Sequence, residues 1–536
     1  MKPAKVLQHL ALSCAVVVGL GCTPAFEVEE TTIAEIHAAM EAGRLTAREL
    51  VQAYLDRIEA YDKQGPFINS IITINPNALE RARELDDALA VSGFVGPLHG
   101  IPVIVKDNYD TYDLPTTNGT LAFKNSIPPD DAYQVRKLRE AGAIILAKSN
   151  LAEFASSGSF TVSSVLPGYT RNPYDPVRVT AGSSGGTAAA VAANFCTVGL
   201  GTDTGSSIRG PASHQALVGF RTTMGLTSRD GIAPLNMARD VGGPMARTVA
   251  DAVAVLEAIV GYDPADPVTE ASEGLVPDNY RQFLDSAGLV GARIGVLRQL
   301  FEVEDPLQEW EATYDENQDS TETEPREIHP EVLRLMNQAI ADMEAAGAVI
   351  VDSVEIADLD EIRDEFPTIR RMRHDFEKYL QSRPEVPLKT LEEILESGDY
   401  HPFLRYGLNR NNDVEGAPED HPEYQKYLDT QKRLQEAVLA AMDENEVDVL
   451  IYPTFNYPPR LIGDLNTPNG ANSGSLSPPT GFPAFNVPMG YSFGELPAGL
   501  QLLGRPFSEP TLIKISYGYE QATQHRRPPE RTPPLR

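Results

Sequence analysis

The sequence predicts a layered α/β protein. Its 536 residues are 42% hydrophobic and 23% charged, a composition typical of a globular chain with a large core. Amphipathic stretches with helical periodicity alternate with short β-branched runs that glycine and proline interrupt. This alternation indicates strands covered by helices. Residues 150–245 are rich in Ser, Thr and Gly and poor in charge, which favours a site built from main chain.

The first two helices carry recognisable start signals. Thr32 with Glu35, and Thr46 with Glu49, can each form a capping box in which side chain and main chain exchange hydrogen bonds. Further helices are predicted over 78–90, 135–141, 248–260, 331–347 and 424–442, and strands over 101–105, 143–147, 349–354 and 447–452.

The amino terminus has the pattern of an export signal. Two lysines precede an apolar run at 10–20, which is short for a bilayer span but suits a signal peptide. We expect residues 1–25 to be this signal, with either a lipid anchor at Cys22 or ordinary cleavage after Ala25. The lipoprotein pattern is imperfect because Gly19 replaces the usual leucine, and an uncleaved anchor is the other alternative. The expected location is periplasmic, membrane-anchored or secreted.

Charge and cysteine content exclude several classes of function. Lys and Arg total 45 against 76 Asp and Glu, so the formal charge is −31 and nucleic acid is not an expected partner. The three cysteines, Cys14, Cys22 and Cys196, include no Cys-x-x-Cys pair and cannot build a disulfide framework or a thiolate zinc site. Either cleavage would remove Cys14, and cleavage after Ala25 would also remove Cys22 and leave Cys196 unpaired, where burial would protect it.

Residues 302–327 form a strongly acidic segment, with eleven carboxylates against one arginine. Such a run favours a solvated, mobile loop. The functional alternative is a lid or a weak cation site. Trp310, the single tryptophan, lies within it.

Three segments resemble familiar motifs, but only one of them matches its pattern. Residues 142–149 lack the second glycine of a phosphate loop, and residues 199–205 miss the dinucleotide-binding spacing by one. Residues 182–186 do satisfy Gly-x-Ser-x-Gly, which would make Ser184 the nucleophile of an α/β-hydrolase. That alternative requires a downstream histidine, and the candidates are His374, His401, His421 and His525.

A more specific set of motifs follows in chain order. The segment GPLHGIPVIVKDN at 96–108 places Lys106 at the end of an apolar strand, and AGSSGGTAAA at 181–190 leads a glycine turn into a helix. The segment GTDTGSSIR follows at 201–209. Together these resemble the amidase signature family of serine hydrolases, here an exported bacterial-type member. The resemblance covers roughly 30–530 and includes PTGFPAFNVP at 479–488 and LPAGLQLLGRP at 496–506.

The resemblance implies that Ser207 is the acylated nucleophile, Ser183 a relay and Lys106 the base. Physical chemistry supports this, because a serine hydroxyl needs a neighbouring base to become a nucleophile. Lysine, with a pKa of about 10.4, is a poor base near neutrality unless desolvation lowers that pKa. The ordinary alternative for Lys106 is an ion pair with Asp107 or Asp203.

Main-chain N–H groups of Thr204, Gly205 and Ser206 are the candidate oxyanion donors. Ser206 departs from the family, where this position is commonly glycine. Ser157, Gly158 and Ser183 are the expected substrate contacts, and the first two are carried over only as part of a region. Asp203 and Arg209 can brace the nucleophile loop as a charge pair or cap local main chain. His99 and His214 are expected to be structural.

The implied fold is a single α/β/α sandwich around a large mixed, twisted sheet at 30–530. The implied reaction is hydrolysis of a small-molecule or peptide amide through an acyl-enzyme, without metal or organic cofactor, in a monomer or homodimer. Three alternatives remain. They are the glutaminase subunit of a tRNA-dependent amidotransferase, ester or carbamate hydrolysis at the same site, and the hydrolase centred on Ser184.

Overall fold

A computed structural model describes residues 26–156, 163–304, 325–464 and 470–535. Its helices are α1 (Ile33–Glu41), α2 (Ala47–Tyr61), α3 (Ala78–Ser92), α4 (Tyr133–Glu140), α5 (Gly185–Ala192), α6 (Arg209–Ser213), α7 (Val249–Ile259), α8 (Pro330–Ala345), α9 (Leu359–Asp364), α10 (Met372–Gln381), α11 (Leu391–Ser397), α12 (Arg405–Asn412), α13 (Tyr424–Glu444), α14 (Ser477–Thr480) and α15 (Glu509–Thr523). Its strands are β1 (Ile71–Ile74), β2 (Pro102–Lys106), β3 (Ile144–Ser149), β4 (Ser163–Ser164), β5 (Gly168–Tyr169), β6 (Val198–Asp203), β7 (Val218–Arg221), β8 (Val241–Ala246), β9 (Arg293–Val296), β10 (Glu302–Glu304), β11 (Pro325–Glu327), β12 (Val349–Asp352), β13 (Val449–Pro453), β14 (Ala484–Ser492) and β15 (Leu496–Leu503).

Within the described residues, eleven strands form one mixed sheet in the order β1-β3-β2-β6-β8-β7-β14-β15-β13-β9-β12. Strand β2 runs parallel to both β3 and β6, whereas β6 pairs antiparallel with β8. Because carboxyl ends of neighbouring parallel strands lie at the same edge, the ends of β2 and β6 come together. Lys106 and Asp203 are the last residues of these two strands.

The central strands are buried along their whole length. Every residue of β2, β3, β6 and β8 is buried, as is every residue of β13, β14 and β15. Helices therefore cover both faces, and the predicted α/β/α sandwich around a mixed sheet is confirmed. The alanine-rich helix α5 packs unusually closely, since a Cβ on Gly186 would lie 2.2 Å from the carbonyl oxygen of Asn150.

Most predicted elements are found within a few residues of their expected bounds. Both capping boxes form, at Thr32 with Glu35 and at Thr46 with Glu49. Cys196 is buried, and its burial raises the pKa of the thiol to about 12. None of the described helices combines the length and apolar character needed to cross a membrane. The signal-peptide prediction for 1–25, including Cys22, lies outside the described residues.

The prediction of a loop over 302–327 is wrong at its two ends. Strands β10 and β11 pair antiparallel, with Val303 opposite Arg326, because an extended main chain satisfies its hydrogen bonds by pairing. Residues 305–324, with Trp310, lie outside the described residues.

A second hydrophobic cluster joins helices α10 to α12 to the neighbourhood of the two serine motifs. Phe376 of α10 packs edge-to-face on Phe154, with ring centroids 5.7 Å apart. Glu153, in the adjoining 3-10 turn, accepts hydrogen bonds from the main-chain N–H of His401 at 3.2 and 3.3 Å. Burial raises the pKa of Glu153 to about 7. This helical segment therefore forms a wall beside residues 153–156.

Candidate active site

The fold brings Lys106, Ser183 and Ser207 into one small region. Lys106 ends β2, Ser183 lies in the turn before α5, and Ser207 lies just before α6. The Nζ atom of Lys106 is 2.7 Å from Ser183 Oγ. The main-chain N–H of Ser184 donates to the carbonyl of Ser207 at 3.2 Å, which holds the two serine turns side by side.

Lys106 is fully buried without an ion-pair partner among the described residues. Its amine also contacts Thr202 Oγ1 at 2.7 Å and Thr202 O at 3.5 Å. Burial lowers the pKa of Lys106 to about 7, and the opposing attraction of Asp203 and Asp240 is smaller. The buried amine is thus available as a base near neutral pH.

Both carboxylates offered as ordinary ion-pair partners of Lys106 are occupied elsewhere. Asp107 pairs with Lys148 at 3.0 Å, and both side chains are fully buried. Asp203 pairs with Arg209 at 3.1 Å and with Arg221 at 3.3 Å. The simple ion-pair interpretation of Lys106 therefore finds no support in the geometry.

Asp203, the last residue of β6, stabilises the start of α6 through its carboxylate. Its carboxylate accepts the main-chain N–H of Ile208 at 3.1 Å and that of Arg209 at 3.4 Å, in addition to the guanidinium contacts. Although burial alone would raise it, the pKa of Asp203 is lowered to about 2 by Arg209 and Arg221. Arg209 also donates to the carbonyl of Gly205 at 2.9 Å. Asp203 and Arg209 therefore act both as a charge pair and as local caps.

The predicted oxyanion loop is held open toward the site. Thr204 Oγ1 donates to Asp240 at 2.5 Å, and Thr204, Gly205 and Ser206 are all partly exposed. In the described part of the chain, no hydrogen bond uses the main-chain N–H of the predicted donors Thr204, Gly205 and Ser206, or that of Ser207. The space beside Gly205 is empty to 4 Å where a Cβ would lie. This arrangement leaves donors available for an anionic oxygen.

The turn that carries Ser183 has an unusual main chain. The Gly182–Ser183 peptide bond is cis, and Ala181 has φ of 53°. Ser184, the rival nucleophile, is fully buried, and its hydroxyl donates to Thr202 O at 3.1 Å and accepts from Thr202 N at 3.3 Å. That hydroxyl is therefore engaged with main chain.

The histidines required by the rival hydrolase are occupied elsewhere. His374 contacts Asp375 at 3.0 Å, and His525 lies 3.5 Å from Asp342. His401 and His421 each accept a main-chain N–H two residues ahead. Within the described residues none of the four is hydrogen-bonded to Ser184.

His99 and His214, the two histidines nearest the motifs in the sequence, make their contacts with other residues. His99 Nδ1 accepts the N–H of Val95 at 3.2 Å. His214 stacks on Phe455 with centroids 4.1 Å apart, and burial lowers its pKa to about 3. Neither contact involves the lysine or the two serines.

Ser157 and Gly158, the predicted substrate contacts, lie outside the described residues. Just before them, Ala155 lines a small cavity together with Asn108, Thr202 and Asp240. Thr202 and Asp240 were not identified from the sequence, although the hydroxyl in Gly-Thr-Asp before the nucleophile loop was a usable signal. Asp240 gave no signal, because its contact with Thr204 depends on the pairing of β6 with β8.

Comparison with known proteins identifies the family of the chain. The family model described as Amidase matches residues 49–324 and 319–513. A probable amidase of Arabidopsis thaliana is 31% identical over 97% of this chain and 96% of its own length. A glutamyl-tRNA(Gln) amidotransferase subunit from Thermosynechococcus vestitus is 32% identical over 93% of this chain and 100% of its own length. The chain belongs to the amidase family and is a hydrolase that acts on amide bonds.

Solved structures give the same result at the level of the fold. The peptide amidase from Stenotrophomonas maltophilia is 37% identical, with a TM-score of 0.82 over 94% of this chain and 99% of that one. A structure of the peptide amidase in complex with the competitive inhibitor chymostatin matches with a TM-score of 0.80, at 37% identity. The predicted family is confirmed.

The buried Asp203 predicts a large effect on stability. Asp203→Asn removes the charge that balances Arg209 and Arg221, so we expect a loss of about 3–5 kcal/mol in the free energy of unfolding. Urea unfolding followed by circular dichroism measures this. The control is Asp360→Asn, whose side chain is 89% exposed and whose midpoint should stay unchanged. Equal midpoints for Asp203→Asn and wild type would contradict the bracing role.

Proposed function

We propose that the protein hydrolyses carboxylic amides through an acyl-enzyme on Ser207, with Ser183 as relay and Lys106 as base. The observation that carries this proposal is a fully buried amine 2.7 Å from Ser183 Oγ, with a pKa lowered to about 7. A base whose pKa lies near the working pH combines an available neutral form with enough proton affinity.

The proton path follows from what the amine can donate and accept. A neutral lysine has two N–H groups and one lone pair. The two N–H groups face Thr202, at Oγ1 and at the carbonyl, which leaves the lone pair for the proton of Ser183. Asn108 donates to the same Thr202 Oγ1 at 3.2 Å and keeps that oxygen in place. Thr202 therefore orients the base.

In the proposed reaction, Ser183 passes its proton to Lys106 while it accepts the proton of Ser207. Ser207 Oγ bonds to the amide carbon, and the carbonyl electrons move to oxygen, where the N–H groups of Gly205 to Ser207 stabilise them. The C–N bond then breaks as the proton returns through Ser183 to the leaving nitrogen. In the second half of the reaction, the oxygen of a water molecule attacks the acyl carbon while its proton passes through Ser183 to Lys106. Return of that proton to Ser207 Oγ releases the acid and regenerates the serine.

The substrate class we favour is a peptide amide or a small amide. The support is the 37% identity to a peptide amidase that binds the competitive inhibitor chymostatin. The amidotransferase subunits are similar over nearly their full length, so the glutaminase reaction is the second candidate. Ester and carbamate hydrolysis use the same acyl transfer and are tested by substrate comparison.

Lys106→Met should lower kcat by roughly 10²–10⁴-fold, the usual contribution of a general base. In the wild type, kcat should rise with pH through a single ionisation near 7 and then level off, since the neutral amine dominates above its pKa. Lys106→Arg should be equally inactive because guanidinium stays protonated. Lys432→Met, which replaces a 73% exposed lysine, is the control. Wild-type rates in Lys106→Met would exclude the lysine as base.

A fluorophosphonate probe followed by peptide mapping should place one adduct on Ser207. The reason is that the proposed relay activates Ser207, whose turn is held beside that of Ser183, whereas the hydroxyl of Ser184 is bonded to Thr202. Ser207→Ala should lose the adduct and keep its circular dichroism spectrum. An adduct on Ser184 would instead favour the rival hydrolase.

We also propose export directed by residues 1–25, based on their two lysines and apolar run. Mass spectrometry of protein recovered from a bacterial host distinguishes the two routes: lipidation leaves Cys22 first, and ordinary cleavage leaves Phe26 first. Recovery of the intact chain from the cytoplasm would refute export.

A further inference from the structure

A cavity of about 260 Å³ is lined in part by Arg239, the residue that precedes Asp240, whose carboxylate binds Thr204 of the loop that carries Ser207. It is formed by the turn before β8, the segment that precedes α10, and the start of α13. The residues used below are Arg239, Phe366, Ile369, Arg371, Tyr424 and Tyr427. The volume is close to the lower end of small-molecule sites, about 300–1,000 Å³, and suits one substituent better than a whole extended substrate.

The two arginines in the cavity differ in their charge balance. Arg371 is neutralised by Asp375 at 3.0 Å, with Glu419 at 3.8 Å. Arg239 has no carboxylate partner in the described ranges, and its buried Nε atom has no hydrogen-bond partner. Its guanidinium instead lies over the rings of Phe366 and Tyr427, at 5.4 and 6.0 Å from their centroids. The cavity thus holds an uncompensated cation on an aromatic wall.

The turn that contains Arg239 and Asp240 connects this cation to the loop that carries Ser207. The carbonyl of Arg239 accepts from Arg221 Nη2 at 2.8 Å, and Arg221 also pairs with Asp203. The next residue, Asp240, accepts from Thr204 at 2.5 Å and, with its other oxygen, from Leu235 N–H at 2.9 Å. The turn therefore contacts the loop that carries Ser207 through Asp240 and lines the cavity through Arg239.

We propose that this cavity is a subsite for an anionic substituent on the acyl part of the substrate, such as an acidic side chain near the scissile amide. Arg239 would pair with the carboxylate, and Phe366, Ile369 and Tyr427 would cover its apolar stem. Because the whole chain carries −31, its overall field repels anions, so selection must come from this local guanidinium. The inference rests on the proposed amide hydrolysis.

The test compares two peptide amides that differ only in charge, acetyl-Glu-Phe-amide and acetyl-Gln-Phe-amide. Wild type should favour the Glu substrate in kcat/KM. Arg239→Gln should lower kcat/KM for the Glu substrate at least tenfold and leave the Gln substrate within twofold. Arg239→Glu should invert the preference. Arg136→Gln, which removes an arginine with a 51% exposed side chain, is the matched control. It should leave kcat/KM unchanged for both substrates.

Absence of a Glu preference in wild type, or an equal fall for both substrates in Arg239→Gln, would overturn the subsite. If neither amide is turned over, the proposed function fails separately, and calorimetry then decides the subsite with acetyl-Glu-Phe-amide as the probe. Binding by wild type that Arg239→Gln loses supports the subsite without any turnover. Equal binding by both proteins, or by neither, overturns it.

Discussion

The site depends on the burial of one amine without a matching charge. Lys106 ends a strand that is buried on both faces, and its Nζ contacts only hydroxyl and carbonyl oxygens among the described residues. Desolvation is the largest influence on its pKa and brings it to about 7. A carboxylate at ion-pair distance would stabilise the charged form of the amine and raise its pKa again, so the lowered pKa requires that nearby carboxylates are engaged elsewhere.

The neighbouring buried charges satisfy that requirement. Asp107 follows Lys106 in the chain but pairs with Lys148 of the adjacent strand β3. Asp203 ends the other neighbouring strand and is shared by two arginines. These pairs also stabilise the local structure, because Asp203 caps the start of α6 and Arg209 fixes the carbonyl of Gly205. The same network therefore keeps carboxylates away from the Lys106 amine and shapes the loop that carries Ser207.

Much of the fold was accessible from local patterns. The capping boxes at Thr32 and Thr46 and the alternation of helix and strand depend on neighbours in sequence, and the structure confirms them. Helices α10 to α12 were missed, because their apolar residues pack on Phe123 and Phe154 rather than on the main core. The paired ends of the acidic segment were missed for a different reason, since strand pairing there joins residues more than twenty positions apart.

The sequence by itself determined the family and singled out Lys106, Ser183 and Ser207, because motif spacing preserves which residues a fold can bring together. Tertiary structure alone decided which side chains contact one another around the site. The contacts of Thr202 with Lys106, of Asp240 with Thr204 and the exposure of Arg239 to a cavity all cross between strands and turns. Strand register sets those distances, and register is a property of the whole sheet that no local pattern specifies.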